Sequence, residues 1–330
     1  MPTYLVTADP IRTFQPRFDT TLRILAELRR RGEAVDFCDL TETDPSLPAD
    51  RFLGELPVRA VLACDPSTPP FVELGPPRRG RAGEYEVLIH RKDPPVDARY
   101  RGYMGPFVHV PRDILQINDP AAVLAHSEHT LQCEFPEYAV PTTICEDLGA
   151  FVAAVRAQPG EAVAKPLAEC SGIGIHFFPA DAPEAELAAW WARFGGSAVV
   201  QPFQAAIHER GDLRILVMNQ RILGAVTRLP RAGSRLANLH QGASARAFEP
   251  TPRQREAVRA VAAALAPRGL HLLGLDFIGD LLSEINFTSP SALVQINEVM
   301  HQRTEALLVD EIEALRRARR GQGAGSAAGE

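Results

Sequence analysis

The chain has 330 residues, enough for two or three domains with substantial cores, and its 45% hydrophobic and 23% charged composition is that of an ordinary globular protein. Its net charge of −6 excludes a global basic field for nucleic acid or an anionic membrane, and no apolar run approaches the ~20 residues that span a bilayer. Cys38, Cys64, Cys133, Cys145 and Cys170 are scattered and never form a CxxC pair, which fits reduced thiols in a cytoplasm better than a disulfide frame or a zinc site.

The first ten residues carry neither a basic segment nor a long apolar one, so no secretory signal is expected. "TYLVTADP" reads as a short buried strand ending in a loop. "TTLRILAELRRRG" places Leu22, Leu25 and Leu28 on one helical face and closes on Gly32, and "EAVDFCDL" is a second strand. This order predicts a parallel sheet at the start. Residues 41–83 are rich in Pro, Gly and charge; "EYEVLIH" is a further strand running into "RKDPP", and a domain change is placed near residue 120. "PAAVLAHSEHTLQCEF" and "DLGAFVAAVRAQPG" read as helices, "EAVAKPL" and "GIGIHFF" as strands joined by a small-residue loop, and "SAVVQPF" as a strand ended by Pro202. "DLRILVMNQRILGAVTRL" reads as a hairpin turning at Asn219–Gln220. Residues 231–247 lack periodicity and are expected to form a mobile loop. Thr251, Pro252 and Gln254 form a capping-box start for the next helix, which Pro267 and Gly269 end. "EALLVDEIEALRRARR" is an amphipathic helix, and residues 319–330, ending in "GQGAGSAAGE", are expected to be disordered.

"LLGLDFIGDLLSEINFTSP", residues 272–290, sets Asp276, Glu284 and Asn286 among Leu, Ile and Phe. Unpaired buried carboxylates are costly, so these need a partner. Glu284 and Asn286 share a strand face. Asp276 joins them only if the turn has three residues or the hairpin carries a bulge. In that case three oxygen ligands line one face, a set suited to Mg²⁺. The alternative is that Asp276 ends a strand and Asn286 makes a turn hydrogen bond. Lys165 lies in an apolar strand before Ser171, Gly172 and Gly174, residues small enough for a ligand to approach the backbone, although the pattern is no Walker A loop. A snorkelling surface lysine is the other reading. Arg214 alternates with apolar residues, so it points either to solvent or into a site, where it would grip a carboxylate or phosphate. Arg91 and Lys92 precede a rigid Pro-Pro, as a solvated loop also would.

The order of "RKDPP", "KPL" before a small loop, "QPFQAAIHERGDLRILV" and "GLDFIGDLLSEINFTSP" resembles the bacterial glutathione synthetases, members of the ATP-grasp superfamily. The resemblance implies an ATP-grasp fold, α/β overall and α+β in its C-terminal half, preceded by a small parallel-sheet domain. The implied divisions are an N-terminal domain 1–120, a small subdomain 121–200, and a C-terminal subdomain 201–318 with a lid loop 231–247. It also implies roles. Asp276, Glu284 and Asn286 would hold Mg²⁺ (or Mn²⁺) on the phosphates of the co-substrate ATP. Lys165, Ser171 and Gly172 would contact the nucleotide, and Gln201, Pro202 and Phe203 would form the adenine hinge. Asp212 and Arg214 would lie at the transferring phosphate, and Arg91, Lys92, Asn238 and Ser289 would bind substrate. The implied reaction activates an acid, γ-glutamylcysteine, as an acyl phosphate and passes it to an amine, glycine. Its partners would be ATP and these small molecules, with no nucleic acid or membrane, in a cytoplasmic protein that the family often assembles as a homo-oligomer.

The chain departs from the family pattern at Ala168-Glu169-Cys170-Ser171-Gly172, where glycines are usual, at Ser127-Glu128-His129-Thr130, where a nucleotide lysine is expected, and at Leu236-Ala237-Asn238-Leu239 in the lid. These departures leave room for a related peptide ligase with another acid or amine, or for a weakened ATP-binding module.

Overall fold

The computed structural model describes residues 3–169, 172–229 and 244–326. The N-terminal sheet contains β1 (Tyr4–Ala8), β2 (Val35–Asp39), β3 (Leu56–Cys64), β4 (Val72–Leu74), β5 (Arg78–Gly80), β6 (Val87–Arg91) and β7 (Leu115–Ile117), in the order β4-β3-β2-β1-β6-β7 with β5 on β3. The expected parallel start is present: β1 runs parallel to both β2 and β6, and β6 parallel to β7. The helix Thr20–Arg30 supplies the crossover, capped by the Asp19 side chain accepting from the Leu22 N–H. Within residues 41–83, where no strand was expected, β3 to β5 extend the sheet antiparallel from β2.

Glu27 ties that helix to the C-terminal part of the chain. It is buried and paired with Arg30, Arg31 and Arg303. The Arg30 hydrogen bond is the largest influence; burial opposes it, Arg31 adds to it, and the pKa falls to about 2. A carboxylate with a depressed folded pKa contributes stability above its unfolded value. Stability is therefore expected to fall as pH drops from about 4.5 toward 2, by up to about 3 kcal/mol from this group. A series of melts across that range checks this; a Glu27→Gln protein should lack that part of the acid dependence.

A smaller sheet follows, β8 (Thr143–Cys145), β9 (Ala162–Pro166), β10 (His176–Phe178) and β11 (Ala198–Pro202), in the order β10-β9-β11-β8 and antiparallel throughout. Its own core includes Phe151 stacked on Trp190 at 4.9 Å between ring centroids. Residues 120–135 do not form one helix. The helix Pro120–Ala125 stops where His126 turns extended, and a short 3₁₀ turn occupies Leu131–Glu134. The cause is tertiary: the Glu128 carboxylate turns to accept from the Phe287 and Thr288 N–H groups.

The third sheet orders β14 (Ser244–Ala247), β13 (Arg221–Leu229), β12 (Asp212–Met218), β15 (Leu272–Ile278) and β16 (Leu281–Asn286). The β12–β13 hairpin turns at Asn219–Gln220, both at positive φ, as a two-residue turn of this hand needs. The capping box of Thr251 and Gln254 starts the helix Pro252–Leu265. Residues 244–247, expected in the mobile loop, form β14 instead and pair with β13; the rest of that loop, from 231 to 243 and including Asn238, lies outside the described residues, as do Cys170 and Ser171. Where disorder was expected from residue 319, the helix Thr304–Ser326 continues.

The two large sheets share continuous cores. Leu213, Ile215, Leu275 and Phe277 pack with Leu5 and Leu88, whereas Leu216, Met218 and Leu272 pack with Tyr4, Val6 and Ile296. One face of β12 and β15 is thus apolar. The other is apolar only toward Met218 and Leu272 and becomes charged toward Asp212 and Asp276.

Candidate active site

The charged end of that face arises from strand alternation. Asp212 and Arg214 alternate on β12, and the register sets Asp212 opposite Arg228 and Arg214 opposite Asp276. The β15–β16 hairpin has a two-residue turn, which alone would aim Asp276 the wrong way. A bulge at Ser283 restores the phase: Phe277 pairs with Leu282, Asp276 with Glu284, and Gly274 with Asn286. The bulge is one of the two routes the sequence allowed for joining Asp276, Glu284 and Asn286.

Asp276 is buried and grips Arg214 with both oxygens, the Arg214 Nη2 lying 2.7 Å from Oδ2. Arg228 Nη2 lies 3.0 Å from the same Oδ2 and 2.5 Å from Asp212 Oδ2. Burial pushes Asp276 up, yet Arg214 and Arg228 outweigh it and the pKa lies below the usual carboxylate range. Burial has the upper hand at Asp212, whose pKa is raised despite Arg228. Arg228 pays desolvation but is held charged by the two carboxylates. Gly274 lets the guanidinium in: a Cβ there would sit 3.1 Å from Arg214 Nη1 and 3.2 Å from the Pro290 Cβ.

This face floors a cleft of about 490 Å³ that brings together Arg91, Lys165, Gly172, Asp212, Arg214, Asp276, Glu284, Asn286 and Ser289. Arg91 ends β6 and is buried, donating from Nε to Thr21 Oγ1 at 3.2 Å and from Nη1 to the Pro290 carbonyl at 3.1 Å. Burial lowers its pKa, with Asp93 and Asp19 opposing. Lys92 is not in the cleft: its ammonium pairs with Asp9 at 2.7 Å. Gln201, Pro202 and Phe203 do not line it either. Gln201 donates to Thr142 Oγ1 at 2.8 Å, Pro202 pairs with Ala162, and Phe203 donates its N–H to the Glu161 carbonyl at 2.8 Å.

Several cleft residues escaped sequence reasoning. Arg228 could have been found, because the hairpin register places it opposite Asp212. Glu128 and His129 could not, because they sit in a segment that reads as helix. Glu128 accepts from the Phe287 N–H at 2.6 Å, the Thr288 N–H at 2.7 Å and the Thr288 hydroxyl at 2.9 Å, which fixes the turn leaving β16. Burial nonetheless raises its pKa.

The donors suit a hard divalent cation. Asn286 donates its amide N–H to the Gly274 carbonyl at 3.1 Å and to Asp276 Oδ2 at 3.3 Å, which leaves its oxygen as a ligand beside Glu284. Asp276 already accepts from two arginines. Among the described residues no three His, Cys, Asp or Glu side chains form a ready metal cage.

The model of the prokaryotic glutathione synthetase N-terminal domain matches residues 3–123, and that of the prokaryotic glutathione synthetase ATP-grasp domain matches residues 128–301. Glutathione synthetase of Parasynechococcus marenigrum is 32% identical over 319 residues, covering 94% of this chain and 98% of that protein. Glutathione synthetase of Bradyrhizobium diazoefficiens is 31% identical over 313 residues, with coverage of 94% and 98%. The crystal structure of D-cycloserine synthetase DcsG superposes with a TM-score of 0.64 at 17% identity, covering 96% of this chain and 99% of that one, a likeness of fold. The chain therefore has the ATP-grasp fold and belongs to the prokaryotic glutathione synthetase family.

Proposed function

We propose that this protein is an ATP-dependent carboxylate–amine ligase that forms glutathione from γ-glutamylcysteine and glycine. The arginine–carboxylate quartet on the cleft floor, with Glu284 and Asn286 beside it and Lys165 in the same lining, carries this reading. The acid's carboxylate attacks the γ-phosphorus and ADP leaves, giving an acyl phosphate. The glycine nitrogen then attacks the acyl carbon, and phosphate leaves as the amide forms.

Each residue has a part in that sequence. Arg214 uses Nε and Nη2 on Asp276, while among the described residues its Nη1 reaches only the Ser291 carbonyl, at 3.4 Å, which supports a role in meeting a phosphoryl oxygen. Arg228 and Asp212 hold that guanidinium and its carboxylate in place. Asp276, Glu284 and Asn286 would hold Mg²⁺ or Mn²⁺, which when bound would offset charge on the phosphoryl oxygens. Lys165 and Gly172 face the nucleotide phosphates, and Arg91 and Ser289 take the acid and its amine acceptor. The scattered, unpaired Cys38, Cys64, Cys133 and Cys145 support a cytoplasmic location.

Incubation with Mg²⁺-ATP, γ-glutamylcysteine and glycine should yield glutathione by mass spectrometry. Phosphate release that needs neither glycine nor the dipeptide would overturn the substrate assignment. Glu169, which adds a carboxylate to the cleft lining, favours a second reading, the same ligase chemistry with a different acid or amine.

A further inference from the structure

His129 stands between the loop that follows β9 and the face that carries Glu284. Its Nε2 lies 2.9 Å from the Glu169 carbonyl oxygen. A carbonyl only accepts, so Nε2 carries a proton, and Nδ1 is the ring nitrogen turned toward Glu284. That Nδ1 is buried, has no hydrogen-bond partner among the described residues, and lies 3.5 Å from Glu284 Oε1. An imidazole nitrogen and a carboxylate oxygen therefore face each other 3.5 Å apart without a hydrogen bond between them, a spacing at which both can reach one cation.

The imidazole is held in that position. The Leu131 N–H donates to the Ser127 carbonyl at 3.0 Å, Gln132 Nε2 donates to the His129 carbonyl at 2.6 Å, and the neighbouring Glu128 is anchored on the Phe287 and Thr288 N–H groups. A carbonyl that accepts from one ring nitrogen, with the other nitrogen turned to the ion, is the usual arrangement of a metal-binding histidine. The 3.5 Å gap also suits two donors bound to one ion at about 2.1 Å each.

We propose that His129 is a ligand of the divalent cation held by Glu284 and Asn286, so that this chain's metal site mixes an imidazole nitrogen with oxygen donors and favours a transition-metal ion such as Mn²⁺ over Mg²⁺. This rests on the metal-face reading given above. Mg²⁺ takes oxygen donors almost exclusively, whereas first-row transition-metal ions accept imidazole readily.

The test is binding of Mn²⁺ and of Mg²⁺, each with a non-hydrolysable ATP analogue, measured by calorimetry on the full chain and on His129→Ala and Glu284→Gln. The expected result is a loss of about tenfold in Mn²⁺ affinity for His129→Ala, with Mg²⁺ affinity changed less than about twofold. Equal changes for the two ions, or none, would overturn the proposal. Glu284→Gln separates the two readings. If it weakens both ions while His129→Ala does nothing, the metal face stands and the imidazole ligand falls. If neither variant weakens either ion, the metal face itself falls. A spin-echo measurement on the unsubstituted protein needs no variant: bound Mn²⁺ should couple to nitrogen in a way that changes on ¹⁵N-histidine labelling. An unchanged spectrum would mean that His129 and Glu284 form an ordinary ion pair.

Discussion

Glu284→Gln is expected to lower turnover by about 10²- to 10³-fold while changing the unfolding free energy by no more than about 0.5 kcal/mol. The side chain of Glu284 is 23% exposed, and the one basic side chain within 4 Å of it among the described residues is His129. Little of the fold depends on it. Glutamine keeps the size and one carbonyl oxygen but removes the negative charge that a cation on the phosphates would meet. Steady-state phosphate release and a thermal melt, run side by side, check both halves. A variant that keeps most of its activity would remove Glu284 from the metal face.

Arg228→Ala is expected to be the most destabilising change in the cleft, at about 3–5 kcal/mol, because it leaves a buried charge without its partner. Arg228 bridges Asp212 and Asp276. Asp276 would keep Arg214, but Asp212 has no other ion-pair partner among the described residues, and its Oδ1 already lacks a hydrogen bond. The pKa of Asp212 is raised by burial even with Arg228 present, and removing that cation raises it further. The folded variant then favours the protonated acid, so its deficit should be largest at alkaline pH and shrink as pH falls. Arg228→Ala combined with Asp212→Ala should recover much of the loss, since both charges are then gone. Denaturant melts of the single and double variants decide the matter; a single-variant loss below about 1 kcal/mol would show that the quartet is not coupled as described.

Much of this site follows from local rules. Strand alternation aligns Glu284 with Asn286, and for Asp276 to join them the pattern requires either a three-residue turn or a bulge; the bulge, at Ser283, is the one present. The Asn219–Gln220 turn, the capping box at Thr251 and the parallel β1–β2–β6 core follow equally from short-range pattern. What pattern alone misses depends on distant partners. Residues 126–130 have helical periodicity, yet Glu128 leaves the helix to cap the chain beyond β16, and that break is what delivers His129 to the cleft. Lys92 follows Arg91 directly, but it lies just past the end of β6 and its ammonium turns to Asp9. Strands β3 to β5 hide in a segment whose prolines and glycines read as loop, because their pairing is with β2 and with each other.

The measurement that bears most directly on the proposed chemistry uses γ-glutamylcysteine labelled with ¹⁸O in the carboxylate that becomes the amide. Attack of that carboxylate on the γ-phosphorus carries one of its oxygens into the acyl phosphate, and attack by glycine releases it in phosphate. The account predicts inorganic phosphate bearing a single ¹⁸O, formed together with glutathione. Glutathione formed with unlabelled phosphate would contradict it.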